Sequence, residues 1–152
     1  MFMDCDMVLL SDINELFKEL DDKYAVMCVK HDHNPKERTK MDGQAQTGYE
    51  RKNWSSFFAV NCDHPANQRL AISDVNGLRG LQLHQFCWLK DEEIGGLSAG
   101  WNWLVDVQPM PDVVHVAHFT LGGPWFKGWK QSKYDYLWEV EHENFCCNSA
   151  SS

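Results

Sequence analysis

Basic residues are in short supply in this chain: 14 Lys and Arg stand against 22 Asp and Glu, a formal net charge of −8. A surface of that sign repels a phosphate backbone, so a general nucleic-acid-binding role is not expected. Long apolar runs are missing too. No stretch approaches the roughly eighteen residues a membrane span needs, and no secretory signal opens the chain. The six cysteines, Cys5, Cys28, Cys62, Cys87, Cys146 and Cys147, show no C-x-x-C spacing. A chain of this size can build a core without disulfides, so free thiols in a reducing cytoplasm are the expectation. Internal repeats, low-complexity tracts and linkers are also lacking, which leaves one domain over residues 1–152.

What is present is globular. The chain is 43% hydrophobic and 24% charged, outside the range of disordered segments. Seven Trp are several times ordinary usage. Each taken singly fills a core, whereas the group leans towards carbohydrate, because an indole face stacks on a sugar ring.

Met1-Phe2-Met3 reads as the end of a buried strand, and Asp4-Cys5-Asp6 follows it directly. Asp12 is a good N-cap with Glu15 three residues on, a capping-box spacing, and Ile13, Leu16, Phe17 and Leu20 follow at helical intervals. The pattern predicts a helix over Ile13–Leu20. Tyr24–Val29 is a continuous apolar run, as in a strand covered on both faces. Strand, helix and strand in this order predict an α/β fold with a mixed or parallel sheet. Residues 30–53 are polar and basic, with Lys30, Lys36, Arg38, Lys40, Arg51 and Lys52. Further strands are expected over Trp54–Val60, Trp101–Val107 and Val113–Phe119. Short helical patterns cover His64–Leu70 and Val75–Trp88, the latter broken by Gly77 and Gly80. Gly122-Gly123-Pro124 forces a turn, and Tyr134–Glu143 predicts a terminal helix with Leu137 and Trp138 facing inward. One sheet is expected to hold Phe2–Asp4, Tyr24–Val29, Ser56–Val60 and Val113–Ala117.

Two carboxylates one residue apart on an extended chain point the same way and can share a hard cation. Open α/β sheets bind ligands at the carboxyl ends of their strands, where this pair stands. The plain alternative is a solvated turn that begins the next helix. His118 closes an apolar run, where it is either a nitrogen ligand beside the carboxylates or a core histidine bonded to backbone. Two carboxylates and an imidazole suit Mn2+ better than Ca2+. His115, three positions earlier, faces elsewhere and reads as structural.

Phe2-Met3-Asp4-Cys5-Asp6-Met7-Val8-Leu9-Leu10-Ser11-Asp12-Ile13-Asn14-Glu15-Leu16-Phe17 resembles the D-x-D strand and following helix of nucleotide-sugar glycosyltransferases of the GT-A fold. The likeness is greatest to glycosyltransferase family 8, the glycogenin and galactosyltransferase group. His118-Phe119-Thr120-Leu121-Gly122-Gly123-Pro124-Trp125 is similar to that family's closing H-[FY]-x-G-x-x-K-P-W. Asn53 to Asn61 resembles its N-S-G strand, Asp91-Glu92 falls where Asp-Gln is frequent, and Leu97 to Trp103 resembles its L-x-x-x-W-N segment. The blocks come in the family's order and cover most of the chain.

The resemblance implies a Rossmann-like mixed sheet flanked by helices and a retaining transfer of sugar from a UDP-linked donor to a carbohydrate or other hydroxyl acceptor. Asp4, Asp6 and His118 would hold Mn2+ (or Mg2+). Asp4, Asp6, Asn53, Ser55, Gly122 and Gly123 would contact the donor, and Asp91 or Glu92 would act near the transferred sugar. The sequence departs from the pattern in two places. Gly123 stands where the family has a Lys before Pro-Trp, leaving Lys127, Lys130 or the basic stretch to compensate. The family also carries about half of its nucleotide-binding βαβ region ahead of the D-x-D, where this chain has three residues. The chain is therefore read as the carboxyl-terminal portion of such a domain, with an open sheet edge beside Phe2 that invites self-association.

Two other readings compete. Haloacid-dehalogenase-like phosphatases open on an apolar strand and D-x-D-x-[TV], which Asp4-Cys5-Asp6-Met7-Val8 satisfies. There Asp4 would be the nucleophile and Asp6 the acid/base, with Mg2+. That reading needs a later acidic pair and has no use for His118-Phe119 or Gly-Gly-Pro-Trp. The other reading is an inactive sugar-binding remnant.

Overall fold

The structure is a computed structural model that describes residues 1–32 and 50–149. It is mixed α/β, built on two small mixed sheets. The first has the order β1 (Phe2–Met3), β4 (Phe57–Val60), β3 (Val26–Cys28), β5 (Ile94–Gly96). β4 runs antiparallel to both β1 and β3, while β3 and β5 are parallel. The second has the order β2 (Met7–Leu9), β7 (Val116–His118), β6 (Trp103–Leu104), with β2 antiparallel and β6 parallel to β7. The expectation of a single sheet is thus corrected. The chain leaves the first sheet at Met3 and enters the second at Met7, and the Val113–Ala117 segment supplies β7 of the second.

β3 shows why the first sheet forms. Ala25 to Val29 are all buried, and alternate side chains go to opposite faces. Met27 and Val29 join Met7, Leu16, Phe57, Leu97, Trp101 and Val116 in a cluster that binds the two sheets together. Val26 and Cys28 face Ala66, Phe86, Leu89 and Ile94 on the other side. Burial in this apolar layer pushes the Cys28 thiol up to about 12, so it packs as a neutral side chain. A third cluster, around Val8, Trp103, Val105, Ala117 and Phe119, is closed by Trp125, Tyr134, Leu137 and Trp138. Leu137 and Trp138 come from α4 (Tyr136–Ser149) and face inward as expected.

The expected helix over Ile13–Leu20 is shorter. α1 (Asn14–Phe17) is one turn, continued by i→i+3 bonds from Lys18 to Glu15 and from Glu19 to Leu16. The Asp12–Glu15 capping box does not form. The Asp12 carboxylate accepts the Asn14 amide at 2.9 Å, and Glu15 turns to Lys18 instead of back to Asp12. What holds the turn is Leu16, 1% exposed, whose burial is worth about 1.5–3 kcal/mol. His64–Leu70 becomes the 3₁₀ turn Pro65–Arg69, and Trp101–Val107 becomes a 3₁₀ turn, Ala99–Asn102, followed by β6. The Val75–Trp88 pattern splits at its glycines into α2 (Ile72–Gly77) and α3 (Gly80–His84).

β1 was expected to be buried. Instead Phe2 is 46% exposed, at the edge of the first sheet with β4 as its partner strand. Its ring stacks on Phe58 at 5.2 Å. All six cysteines are free thiols. Among the described residues no helix is long and apolar enough to cross a membrane.

Candidate metal centre

The D-x-D triplet is the crossover between the two sheets, and both of its ends are pinned by backbone. The Asp4 amide donates to the Ser56 carbonyl at 2.9 Å, which ties it to the start of β4. The Asp6 carbonyl accepts the Phe119 amide at 2.9 Å, which ties it to the end of β7. Met7 is the register partner of His118 in the β2–β7 ladder. The backbone therefore brings His118 beside the triplet before any side chain is considered.

Asp4, Asp6 and His118 converge as expected: one ligand atom from each lies within 4.8 Å of the others. His118 Nε2 lies 3.5 Å from Asp6 Oδ1. His118 is 3% exposed, while Asp4 and Asp6 are half-buried. Donors that share one cation at about 2.0–2.3 Å stand about 3 Å apart when adjacent and about 4.4 Å apart when opposite. The spacing fits one ion with small adjustments of rotamer. Two carboxylate oxygens and one imidazole nitrogen also match the donor chemistry of Mn2+.

Behind the imidazole lies a polar network that the sequence reading did not assign. His118 Nδ1 is 2.9 Å from Asn102 Oδ1, and Asn102 is wholly buried. Asn102 Nδ2 donates to Ser56 Oγ at 2.8 Å and to the Asn53 carbonyl at 3.2 Å. Ser56 Oγ in turn donates to the same Asn53 carbonyl at 2.6 Å. A signal for Asn102 was available: it is an amide set between two large apolar residues, Trp101 and Trp103, and a buried amide must have partners.

The other expected site residues are placed variously. Asn53 adopts a left-handed backbone, φ 64°, and its carbonyl anchors the network. Its Nδ2 is buried and makes no hydrogen bond among the described residues. Ser55 turns away, its hydroxyl 2.8 Å from His84 Nδ1, and Ser56 is the serine whose hydroxyl joins the network. Gly122 and Gly123 form the turn after β7. The Gly122 amide is spent on the Phe119 carbonyl, and the Trp125 ring lies over Gly123. Asp91 and Glu92 are not brought to the cluster. They precede β5, whose carboxyl end is the one level with Asp4, because the Leu97 amide bonds to the Cys28 carbonyl there. Asp91 pairs instead with Arg51. Arg51 is thereby committed, and it also donates to the carbonyls of Gln85 and Phe86. Of the remaining basic stretch, Lys36, Arg38 and Lys40 lie outside the described residues. Lys127 and Lys130 are exposed.

One flank of the site is braced by Glu19. Its carboxylate accepts the Ser98 amide and hydroxyl and the Trp101 indole, at 2.8–2.9 Å. Burial alone would raise the Glu19 carboxyl, but these donors outweigh it and hold the group below its ordinary value. Trp101 in turn stacks between Phe57 and His115, and His115 is fixed by Ser11 at 2.8 Å. His115 is structural, as expected.

Among known proteins, the chain is similar to Protein CDI of Arabidopsis thaliana, 50% identical over 151 residues that take in 95% of this chain. It spans 58% of that relative's length. No protein-family model matches the chain, and no solved structure matches it.

Proposed function

We propose that this chain has the GT-A fold and serves the metal-dependent transfer of a sugar from a nucleotide-sugar, UDP-linked, to a hydroxyl of a carbohydrate or other acceptor, with retention at the anomeric carbon. The observation that carries the reading is the convergence of Asp4 and Asp6 with His118 across two sheets. The third donor is an imidazole, for which the phosphatase alternative has no use. The D-x-D also stands at the carboxyl end of β1, the edge at which α/β sheets bind ligands.

Asp4 and Asp6 supply the negative charge that attracts a divalent cation, and His118 supplies a nitrogen donor that is already desolvated. A bound Mn2+ or Mg2+ contributes Lewis acidity, neutralising charge that grows on a departing diphosphate. Asn53 Nδ2, a buried donor with no hydrogen-bond partner among the described residues, is available to a polar group of the donor substrate, and such a contact would offset the cost of leaving it unsatisfied. A reducing compartment, the cytoplasm, goes with six free thiols.

The test is release of UDP from a panel of UDP-sugars by the full-length protein with Mn2+. The reading expects release that EDTA abolishes and that Asp6→Asn removes. Release of phosphate from a generic monoester, lost on Asp4→Asn, together with no turnover of any UDP-sugar, would replace it with the phosphatase reading.

A further inference from the structure

We propose that Asn102 is a positioning residue that fixes the tautomer and orientation of His118, leaving the Nε2 lone pair directed at the Asp4–Asp6 side. The inference rests on the metal reading above for its purpose, but the geometry that carries it is independent of any ion.

The orientation of the Asn102 amide follows from its neighbours. One end lies 3.2 Å from the Asn53 carbonyl, which can only accept a hydrogen bond. That end must therefore be the NH2 group, since an oxygen there would face another oxygen. The same NH2 meets Ser56 Oγ at 2.8 Å. The Ser56 hydroxyl proton is already given to the Asn53 carbonyl, so Ser56 is free to accept. Both constraints leave Oδ1 facing His118 Nδ1 at 2.9 Å. An amide oxygen only accepts, so Nδ1 must carry the proton. In the neutral ring Nε2 then holds the lone pair, and Nε2 is the atom that lies 3.5 Å from Asp6. The opposite tautomer would place a proton where a ligand needs electrons.

The same bonds join the two halves of the site. Ser56 accepts the Asp4 amide with its carbonyl and the Asn102 amide with its hydroxyl. Asp4 leaves the first sheet and His118 ends a strand of the second. The chain of atoms Asp4–Ser56–Asn102–His118 spans both sheets without relying on solvent. Outer-shell groups of this kind hold metal-ligating histidines in register, and their loss typically lowers metal affinity about 10- to 100-fold.

The test compares Asn102→Leu, which removes the acceptor at similar volume, with Asn102→Asp, which keeps an acceptor for the Nδ1 proton while giving up the NH2 donations to Ser56 and the Asn53 carbonyl. The first readout is long-range 15N–1H NMR of His118 in metal-free protein, which reports directly which ring nitrogen carries the proton. Nδ1–H is expected in the wild type and in Asn102→Asp, with Nε2–H appearing in Asn102→Leu. The second readout is Mn2+ affinity, expected to fall about 10- to 100-fold in Asn102→Leu and to be rescued in Asn102→Asp. Thermal unfolding of each variant separates these effects from a loss of fold. An Nε2–H wild-type ring would overturn the proposal, and so would a folded Asn102→Leu with wild-type tautomer. Should Asn102→Leu fail to fold, the wild-type and Asn102→Asp spectra still decide. An Nδ1–H ring in a protein that binds no Mn2+ would uphold the positioning and reject the metal reading.

Discussion

Met7 and His118 are register partners across the antiparallel pair β2–β7, and this pairing sets the His118 imidazole 3.5 Å from Asp6. Directly opposed residues in an antiparallel ladder share one face, and a slip of one position would turn His118 to the other. The register is held by burial on both sides. Met7 and Val116 enter the cluster between the sheets, while Val8 and Ala117 enter the cluster under α4. The site thus inherits its geometry from core packing, and it should survive the loss of a ligand charge.

Asp6→Asn follows from this. The substitution removes charge but little volume, and the backbone bond from Phe119 to the Asp6 carbonyl is untouched. Divalent-cation affinity and metal-dependent transfer should fall by more than about 100-fold, beyond what outer-shell changes cost. The midpoint of thermal unfolding should stay close to the wild type. A collapse of the fold would show that the carboxylate is structural.

Glu19 makes stability depend on acid. Its folded-state pKa lies below the ordinary value of 4.5, so its contribution is complete above that value and is lost as pH falls through the lowered one. Denaturant titrations of the wild type should lose stability on acidification in that window. Glu19→Gln should lose about 1 kcal/mol at neutral pH, a figure held down by the partial exposure of the group, and should flatten that part of the acid profile. An unchanged acid limb in the variant would contradict the assignment.

Gly123 is a packing requirement. A Cβ there would run into the six-membered ring of Trp125, which packs on Phe119 with ring centroids 5.7 Å apart. Gly123→Ala should destabilise the chain by about 1–3 kcal/mol, as overpacking does. Gly96→Ala, with nothing within 4 Å of the new carbon, is the control and should cost less. Equal unfolding midpoints for the two would dismiss the Trp125 clash.

Among the described residues the outer edge of β1 has no partner strand, and such an edge invites a second strand. Phe2 and Met3 are exposed there, and unpaired backbone at a sheet edge templates association. Sedimentation should show concentration-dependent self-association that Phe2→Lys reduces. A wild type that stays monomeric at every concentration would remove this expectation.

Much of this was legible in the residues. The Tyr24–Val29 run announced a strand covered on both faces, and Leu137 and Trp138 announced the inward face of α4, because burial leaves a direct trace in apolar patterning. Asp4, Asp6 and His118 were legible from residue type and position at strand ends. Three things were not. The split into two sheets depends on pairing between distant strands, which no local pattern encodes. The capping box failed because Glu15 found Lys18 instead, a competition that spacing alone does not decide. The choice of Ser56 over Ser55 turns on one residue of register at the start of β4. Asn102 lies within the 97–103 segment, yet its role appears only when Ser56, Asn53 and His118 are assembled around it.

The most direct test of the central claim is a Mn2+ titration followed by electron paramagnetic resonance, on the wild type, Asp6→Asn and His118→Ala. The account predicts one Mn2+ bound per wild-type chain, and severe loss of that binding in both variants while each remains folded. Absence of Mn2+ binding by the wild type, or binding that both substitutions leave intact, would contradict it.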